Sequence, residues 1–230
     1  ELTVETDGHE VHLLAYGLNI AHPRLLTELA KFQEVRQDRI REMVGRLNKL
    51  GIPLRADRVY QLADCRAPGR PHVARALVEG GFCGHFDEAF ERFLKRGKPA
   101  WVPKFKISAE EATTLIHEAG GVAVMAHPGL NRADEFLPEL LAAGLDGLEC
   151  FHTKHSTAAA EHYLMLADQY GLLVTGGSDC HGLSKGKPLI GTIRLPYEHV
   201  VELEARIAAQ QARLRPKPAE LHDPHFAIAS

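Results

Sequence analysis

The sequence predicts an α/β protein in which βα units build a parallel sheet or barrel, interrupted by a helical insertion. Three observations carry that expectation. From residue 104 onward, apolar runs starting at 122, 147 and 172 alternate with amphipathic stretches, and their 25-residue spacing suits buried parallel strands joined by helices. Residues 19 to 100 have helical periodicity instead, with 16 Lys or Arg against 10 Asp or Glu, while the rest of the chain holds 11 against 20. The 230 residues are 45% hydrophobic, enough for a substantial core, which argues against intrinsic disorder and against a small disulfide-held module.

In chain order, residues 2 to 17 read as two strands around an Asp7-Gly8 turn, a strong hairpin signal. If Thr6 pairs with His9, then Thr3 faces His12, and Glu1 lies diagonally from His12 on the same face. Two potential metal ligands thus share adjacent strands. Leu25, Leu26, Leu29, Phe32, Val35, Ile40, Met43, Val44 and Leu47 call for one long or two broken helices from about Pro23 to Leu50, stopped by Gly51 and Pro53. Arg70 to Val78 reads as a turn into a helix, followed by a Gly-rich break and a further helix through Phe86, Phe90, Phe93 and Leu94. Arg70 and His72, at a helix start, could grip a phosphate or serve as ordinary capping and surface residues.

The later part is expected to run helix 109–119, strand 122–126, helix 133–143, strand 147–151, helix 156–170, strand 172–176, strand 190–195 and helix 197–213. Just past the carboxyl ends of these strands come His127, then His152 and His155, then Asp179 and His181. That is where sheets and barrels of this class assemble active sites. Imidazoles and carboxylates converging there, with Glu1 and His12, suit borderline or hard divalent cations. Elsewhere His117, His162 and His199 fall within helical segments and suit packing or surface roles, while His222 and His225 lie in a Pro-bearing tail expected to be disordered.

Four cysteines, at 65, 83, 150 and 180, lack zinc-knuckle spacing, and no apolar run approaches the length of a membrane span, so a reducing cytoplasmic setting without membrane partners is expected. A net charge of −3 and no aromatic stacking stripe give no support for reading duplex nucleic acid.

Four stretches together carry a resemblance: Glu1-Leu2-Thr3, Glu10-Val11-His12, Ala126-His127-Pro128-Gly129 and Gly177-Ser178-Asp179-Cys180-His181-Gly182. They resemble the polymerase-and-histidinol-phosphatase (PHP) metallophosphoesterases, in particular the bacterial branch of nucleoside 3′,5′-bisphosphate phosphatases and 5′-to-3′ exoribonucleases. The resemblance implies a distorted seven-stranded β/α barrel, here in the parts 1–18 and 101–213, with a helical insertion or cap at 19–100 and a tail at 214–230. It implies two or three divalent ions, manganese first, with magnesium, iron or zinc as alternatives, held by Glu1, His12, His127, Asp179 and His181, with Asp179 essential to turnover. It assigns substrate phosphate to Arg70, His72 and Lys104, and phosphate binding or proton transfer to His155, with His152 as an additional candidate. The implied substrates are a small phosphorylated nucleotide and short single-stranded RNA. Family members carry a His-x-His motif and an Asp-His pair ahead of the carboxylate that matches Glu1, so the chain is expected to lack the first two βα units and to hold about half of the site. The competing expectations are a histidinol-phosphatase-like enzyme for another small metabolite, a polymerase-associated proofreading module, and a non-catalytic metal- or nucleotide-binding segment.

Overall fold

The computed structural model describes residues 1–6, 8–63, 68–130, 133–182 and 187–215. Its strands are β1 (Leu2–Thr6), β2 (His9–Tyr16), β3 (Ile107–Ser108), β4 (Val122–Met125), β5 (Gly147–His152) and β6 (Leu173–Gly177). Its helices are α1 (Pro23–Lys49), α2 (Ala56–Ala63), α3 (Arg70–Glu79), α4 (Phe86–Ala89), α5 (Ala109–Glu118), α6 (Leu137–Ala142), α7 (Thr157–Tyr170) and α8 (Tyr197–Leu214). The fold is mixed α/β, with a six-stranded sheet of order β3-β1-β2-β4-β5-β6. Contacts divide the chain into two compact units: Glu1–Leu2, Thr6–Asn19 and Ala109–Ser230 form one, Thr3–Glu5 and Ile20–Ser108 the other.

In the first unit, β4, β5 and β6 run parallel, while β2 runs antiparallel to β4 with Leu13 opposite Met125. Every residue of β4 is buried, as the unbroken Val-Ala-Val-Met run predicts for a strand covered on both faces. The buried side of α5 supplies Ala112, Leu115 and Ile116 to this core. Helix α7 begins where the Ser156 hydroxyl accepts the Ala159 N–H at 3.2 Å and ends at Gly171, which takes the left-handed conformation with φ 62°. These two boundaries fix how the chain leaves β5 and returns to β6.

In the second unit, α1 is one unbroken helix. His22 caps it through Nδ1, Pro23 opens it, and Arg46 and Lys49 sit in its last turn, where cations suit the carbonyl end. Ile40, Met43, Val44 and Leu47 join Val59, Val73, Leu77, Phe93 and Leu94 in one buried cluster. Each such side chain contributes about 1.5–3 kcal/mol when fully buried. Arg39 and Arg46 donate to the carbonyls of Val102 and Trp101, tying the segment before β3 to α1.

Several expectations are revised. Among the described residues, 187–196 form no strand: Ile190 is 82% exposed, Gly191 has φ 75°, and Pro188 and Pro196 bracket the stretch. The sixth described strand is instead β3, which pairs parallel with β1. The helix expected over 133–143 is a short 3₁₀ turn, Ala133–Glu135, followed by α6, because Pro138 fits only in the first turn of a helix. The helix through Phe86 to Leu94 changes at Phe90 to a π-helical turn. Helix α2 and the two-residue β3 were not foreseen. The Asp7 turn position, Cys65, His222, His225 and all but the first two residues of the expected tail lie outside the described residues.

Candidate metal centre

The register of β2 on β4 brings two histidines together. Leu13 faces Met125, and the Ala126 N–H donates to the His12 carbonyl at 2.9 Å, so the residue just past the end of β4 arrives beside His12. The rings of His12 and His127 stand edge to face, with centroids 5.2 Å apart. Glu1 completes the group: its Oε1 is 2.6 Å from His12 Nδ1 and 3.7 Å from His127 Nε2. One ligand-type atom from each of the three lies within 4.8 Å of the others.

The electrostatics of this group are reciprocal. The His12 and His127 imidazoles hold the Glu1 carboxyl well below the usual carboxylate range, against burial. Glu1 in turn raises the His127 imidazole above its ordinary value, again against burial. His127 is 8% exposed, and its Nδ1 is buried without a hydrogen-bond partner among the described residues. His12 Nδ1 is likewise buried and, despite its closeness to Glu1, makes no aligned hydrogen bond. Buried polar atoms are nearly always satisfied, so the unpartnered Nδ1 of His127 leaves room for a further group at this ring. A carboxylate and two imidazoles suit a borderline divalent cation. The residues present fit a metal.

His127 adopts φ 33° and Asp179 φ 47°, the non-glycine residues with positive φ among those described. For His127 this costs on the order of 1–2 kcal/mol. The turn is held from β5. The Glu149 carboxylate, 4% exposed, accepts the His127 N–H at 2.8 Å. A hydrogen bond to a charged acceptor contributes about 1.5–3 kcal/mol, so this one contact can offset the strain. Burial raises the Glu149 carboxyl, the His127 N–H opposes that, and the nearby charges of Glu1 and Asp179 raise it further. Gly177 makes room for this carboxylate: a Cβ there would stand 2.6 Å from Glu149 Oε1.

His155, expected on phosphate or on a leaving-group proton, makes backbone contacts here. Its Nε2 accepts the Gly129 N–H at 3.1 Å, which places the ring proton on Nδ1, 2.9 Å from the Cys150 carbonyl. Both ring nitrogens are thus engaged with backbone. His152 is arranged the other way. Its Nδ1 accepts the Lys154 N–H at 3.3 Å, so the neutral ring carries its proton on Nε2, which is buried and unpartnered among the described residues. Burial, then the charges of His127 and His155, lower the His152 imidazole.

Asp179 and His181 are not part of the three-residue cluster. Asp179 acts on it electrostatically, through Glu149 and His152. His181 places Nδ1 2.7 Å from the Asp179 carbonyl. Arg70, His72 and Lys104 belong to the second unit. There Arg70 lies over the Phe90 ring at 6.0 Å. His72 Nδ1 accepts the Gly69 N–H at 3.0 Å, closing the first turn of α3, and burial lowers its imidazole. Glu149 is the side chain that sequence reasoning passed over. Its signal was a lone carboxylate inside the otherwise apolar start of β5.

No family model matches the chain. It is 35% identical over 217 residues to a 3′,5′-nucleoside bisphosphate phosphatase from Chromobacterium violaceum, covering 90% of this chain and 76% of that protein. It is 33% identical to the 5′-3′ exoribonuclease Rnm of Escherichia coli, covering 79% of this chain, and spans 64% of that relative's length. A solved metal-dependent phosphoesterase from Bifidobacterium adolescentis superposes with a TM-score of 0.72 at 33% identity, covering 89% of this chain and 74% of that one. A sulfate-bound, metal-free structure of a C. violaceum protein described as an amidohydrolase superposes at 0.68 with 30% identity, at the same coverage.

Proposed function

Because the chain belongs to the PHP metallophosphoesterase family, in keeping with its 35% identity to a phosphatase of which it covers 76%, we propose that it serves a metal-dependent hydrolysis of nucleoside 3′,5′-bisphosphates at the 3′-phosphate. Short 5′-phosphorylated RNA is a second substrate in this reading, which takes its support from the exoribonuclease relatives. The single observation that carries the proposal is the convergence of Glu1, His12 and His127, one ligand-type atom from each within 4.8 Å of the others.

Glu1, His12 and His127 hold a divalent ion, manganese in this reading, and Asp179 and His181 complete the ligand set. The sheet is part of the family's distorted barrel, and the enzyme works in the cytoplasm. When bound, divalent ions supply a water of lowered pKa and positive charge against the phosphoryl oxygens. Arg70 and His72, in the helical segment 19–100, and Lys104, just after it, neutralise substrate phosphate through charge-assisted hydrogen bonds. Asp179 and Glu149 keep the surroundings of the cluster anionic. His152, with its proton on Nε2, offers a neutral donor toward substrate or leaving group, and His155 acts through Gly129.

The test is turnover by the manganese-loaded chain of adenosine 3′,5′-bisphosphate, histidinol phosphate and a short 5′-phosphorylated RNA, side by side. The proposal expects the highest kcat/KM for the bisphosphate. A preference for histidinol phosphate would reassign the substrate, and metal uptake with no turnover of any of the three would leave a binding module in place of an enzyme. Arg70→Ala should raise KM for the bisphosphate about 10-fold with kcat little changed, the loss of one charge-assisted phosphate contact; an unaltered KM would remove Arg70 from the phosphate site.

A further inference from the structure

We propose that Glu149 and His155 are positioning residues for His127, gripping the two ends of the turn after β4 and fixing the His127 imidazole in place before a cation binds. The inference rests on the reading of His127 as a metal ligand.

Four observations converge on it. The Glu149 carboxylate takes the His127 N–H, at the start of the turn. The His155 ring takes the Gly129 N–H two residues later, and its other nitrogen is anchored on the Cys150 carbonyl in β5. Glycines stand where these two side chains approach: a Cβ at Gly129 would lie 2.9 Å from His155 Cδ2 and Nε2, and a Cβ at Gly177 would lie 2.6 Å from Glu149 Oε1. Between the two grips, His127 is left-handed at φ 33° and precedes Pro128, a position where the helical region is already disfavoured.

A buried carboxylate also carries a desolvation penalty, which the protein tolerates here although a neutral acceptor would satisfy the same amide. Its location explains the choice of partner. Strand β5 pairs with both β4 and β6, so a side chain from it can set the turn after β4 while fitting against Gly177 at the end of β6. Partners behind a metal ligand typically donate to or accept from the ligand's ring. Here the restraint is applied to the ligand's backbone, and the ring keeps Nδ1 unpartnered among the described residues.

The experiment is a manganese titration of the full chain by calorimetry, with hydrogen exchange of the His127 and Gly129 amides in the metal-free protein. Glu149→Gln keeps an oxygen acceptor for the His127 N–H and should hold affinity within about 3-fold of the parent, whereas Glu149→Ala should weaken it by about 10–100-fold, the usual effect of removing a partner behind a metal ligand. His155→Ala should weaken it in the same direction, and each Ala variant should speed exchange at the amide it released. If Glu149→Gln is as damaging as Glu149→Ala, the carboxylate acts as a ligand or a charge and the positioning role is overturned; unchanged affinity in folded Glu149→Ala and His155→Ala overturns it as well. Should Glu149→Ala fail to fold, Glu149→Gln and His155→Ala decide the same question. His127→Ala separates the two levels: unchanged affinity there means the ligand reading has failed, while lost affinity there with intact Glu149→Ala and His155→Ala means only the positioning has.

Discussion

The turn after β4 and the turn after β6 announce themselves with comparable motifs, Ala126-His127-Pro128-Gly129 and Ser178-Asp179-Cys180-His181, and each bends through a non-glycine residue of positive φ, His127 at 33° and Asp179 at 47°. They are held in different ways. The first is buried and fastened by two side chains from the β5 side of the sheet, Glu149 and His155. In the second, Asp179 and His181 have side chains 30% and 40% exposed, and His181 leans on the carbonyl of Asp179 two residues earlier. Cys180 Sγ accepts the Leu189 N–H at 3.3 Å, and backbone N–H groups of Gly182, Leu189 and Ile190 lower its thiol. A motif therefore says which side chains a turn offers, and only the packing beneath says whether they are already in place. By this comparison the β4 turn is braced by side chains from outside it, whereas the described contacts of the β6 turn are mostly with its own backbone.

The largest expected effect comes from removing the proposed ligand from each turn. His127→Ala should weaken manganese binding by more than about 100-fold, since it deletes a ligand from the preformed group and exceeds the effect of any partner behind it. Asp179→Ala should abolish most turnover while leaving the apoprotein's melting temperature nearly unchanged, because its side chain is partly exposed and its described ion-pair partner is His181 of the same turn. A large loss of stability in Asp179→Ala, read by thermal unfolding, would erase the contrast between the turns.

A glycine pair sharpens the contrast further. Gly177→Ala would push a methyl against Glu149 Oε1, and overpacking of this kind costs about 1–3 kcal/mol; it should weaken metal affinity along with stability. Gly182→Ala meets nothing within 4 Å, so its cost is that of a left-handed alanine at φ 61°, on the order of 1 kcal/mol. Equal effects of the two on metal affinity would contradict the unequal bracing.

The smallest effect is in pH. Glu1 raises the His127 imidazole, so in the metal-free protein the stabilisation from that contact is present below the ordinary histidine value and is lost as pH rises through the raised one. Metal competes with the same proton, so manganese affinity should move oppositely, falling as pH drops through that raised value. Calorimetric titration and thermal melts across this interval should show opposite slopes. Parallel slopes would detach His127 from Glu1.

The contrast also explains what could be read in the sequence. Strands β4, β5 and β6 were legible because buried parallel strands are dominated by apolar residues, fully so in β4, and the pairing of Glu1 with His12 followed from hairpin geometry. The strand expected at 190–195 was misleading: Ile190, Ile193 and Leu195 supply an apolar pattern, but Gly191 and the flanking prolines prevent a ladder. Helix α2 is amphipathic, with Val59 buried and Ala56, Tyr60 and Leu62 packed partly against the same cluster, but at eight residues it is too short a window for a helical period to stand out. His127 could be named from its motif, whereas the commitment of both His155 nitrogens to backbone depends on the positions of Gly129 and Cys150, which no local pattern encodes. Glu149 was visible only as an anomaly, an acid in an apolar strand.

The central claim is that Glu1, His12 and His127 form a cation site. Its most direct test is the anomalous scattering of a crystal of the full chain equilibrated with manganese. The account predicts a peak within ligand distance, about 2.0–2.3 Å, of an atom from each of the three residues. Well-ordered side chains at Glu1, His12 and His127 with no peak between them at saturating manganese would contradict it.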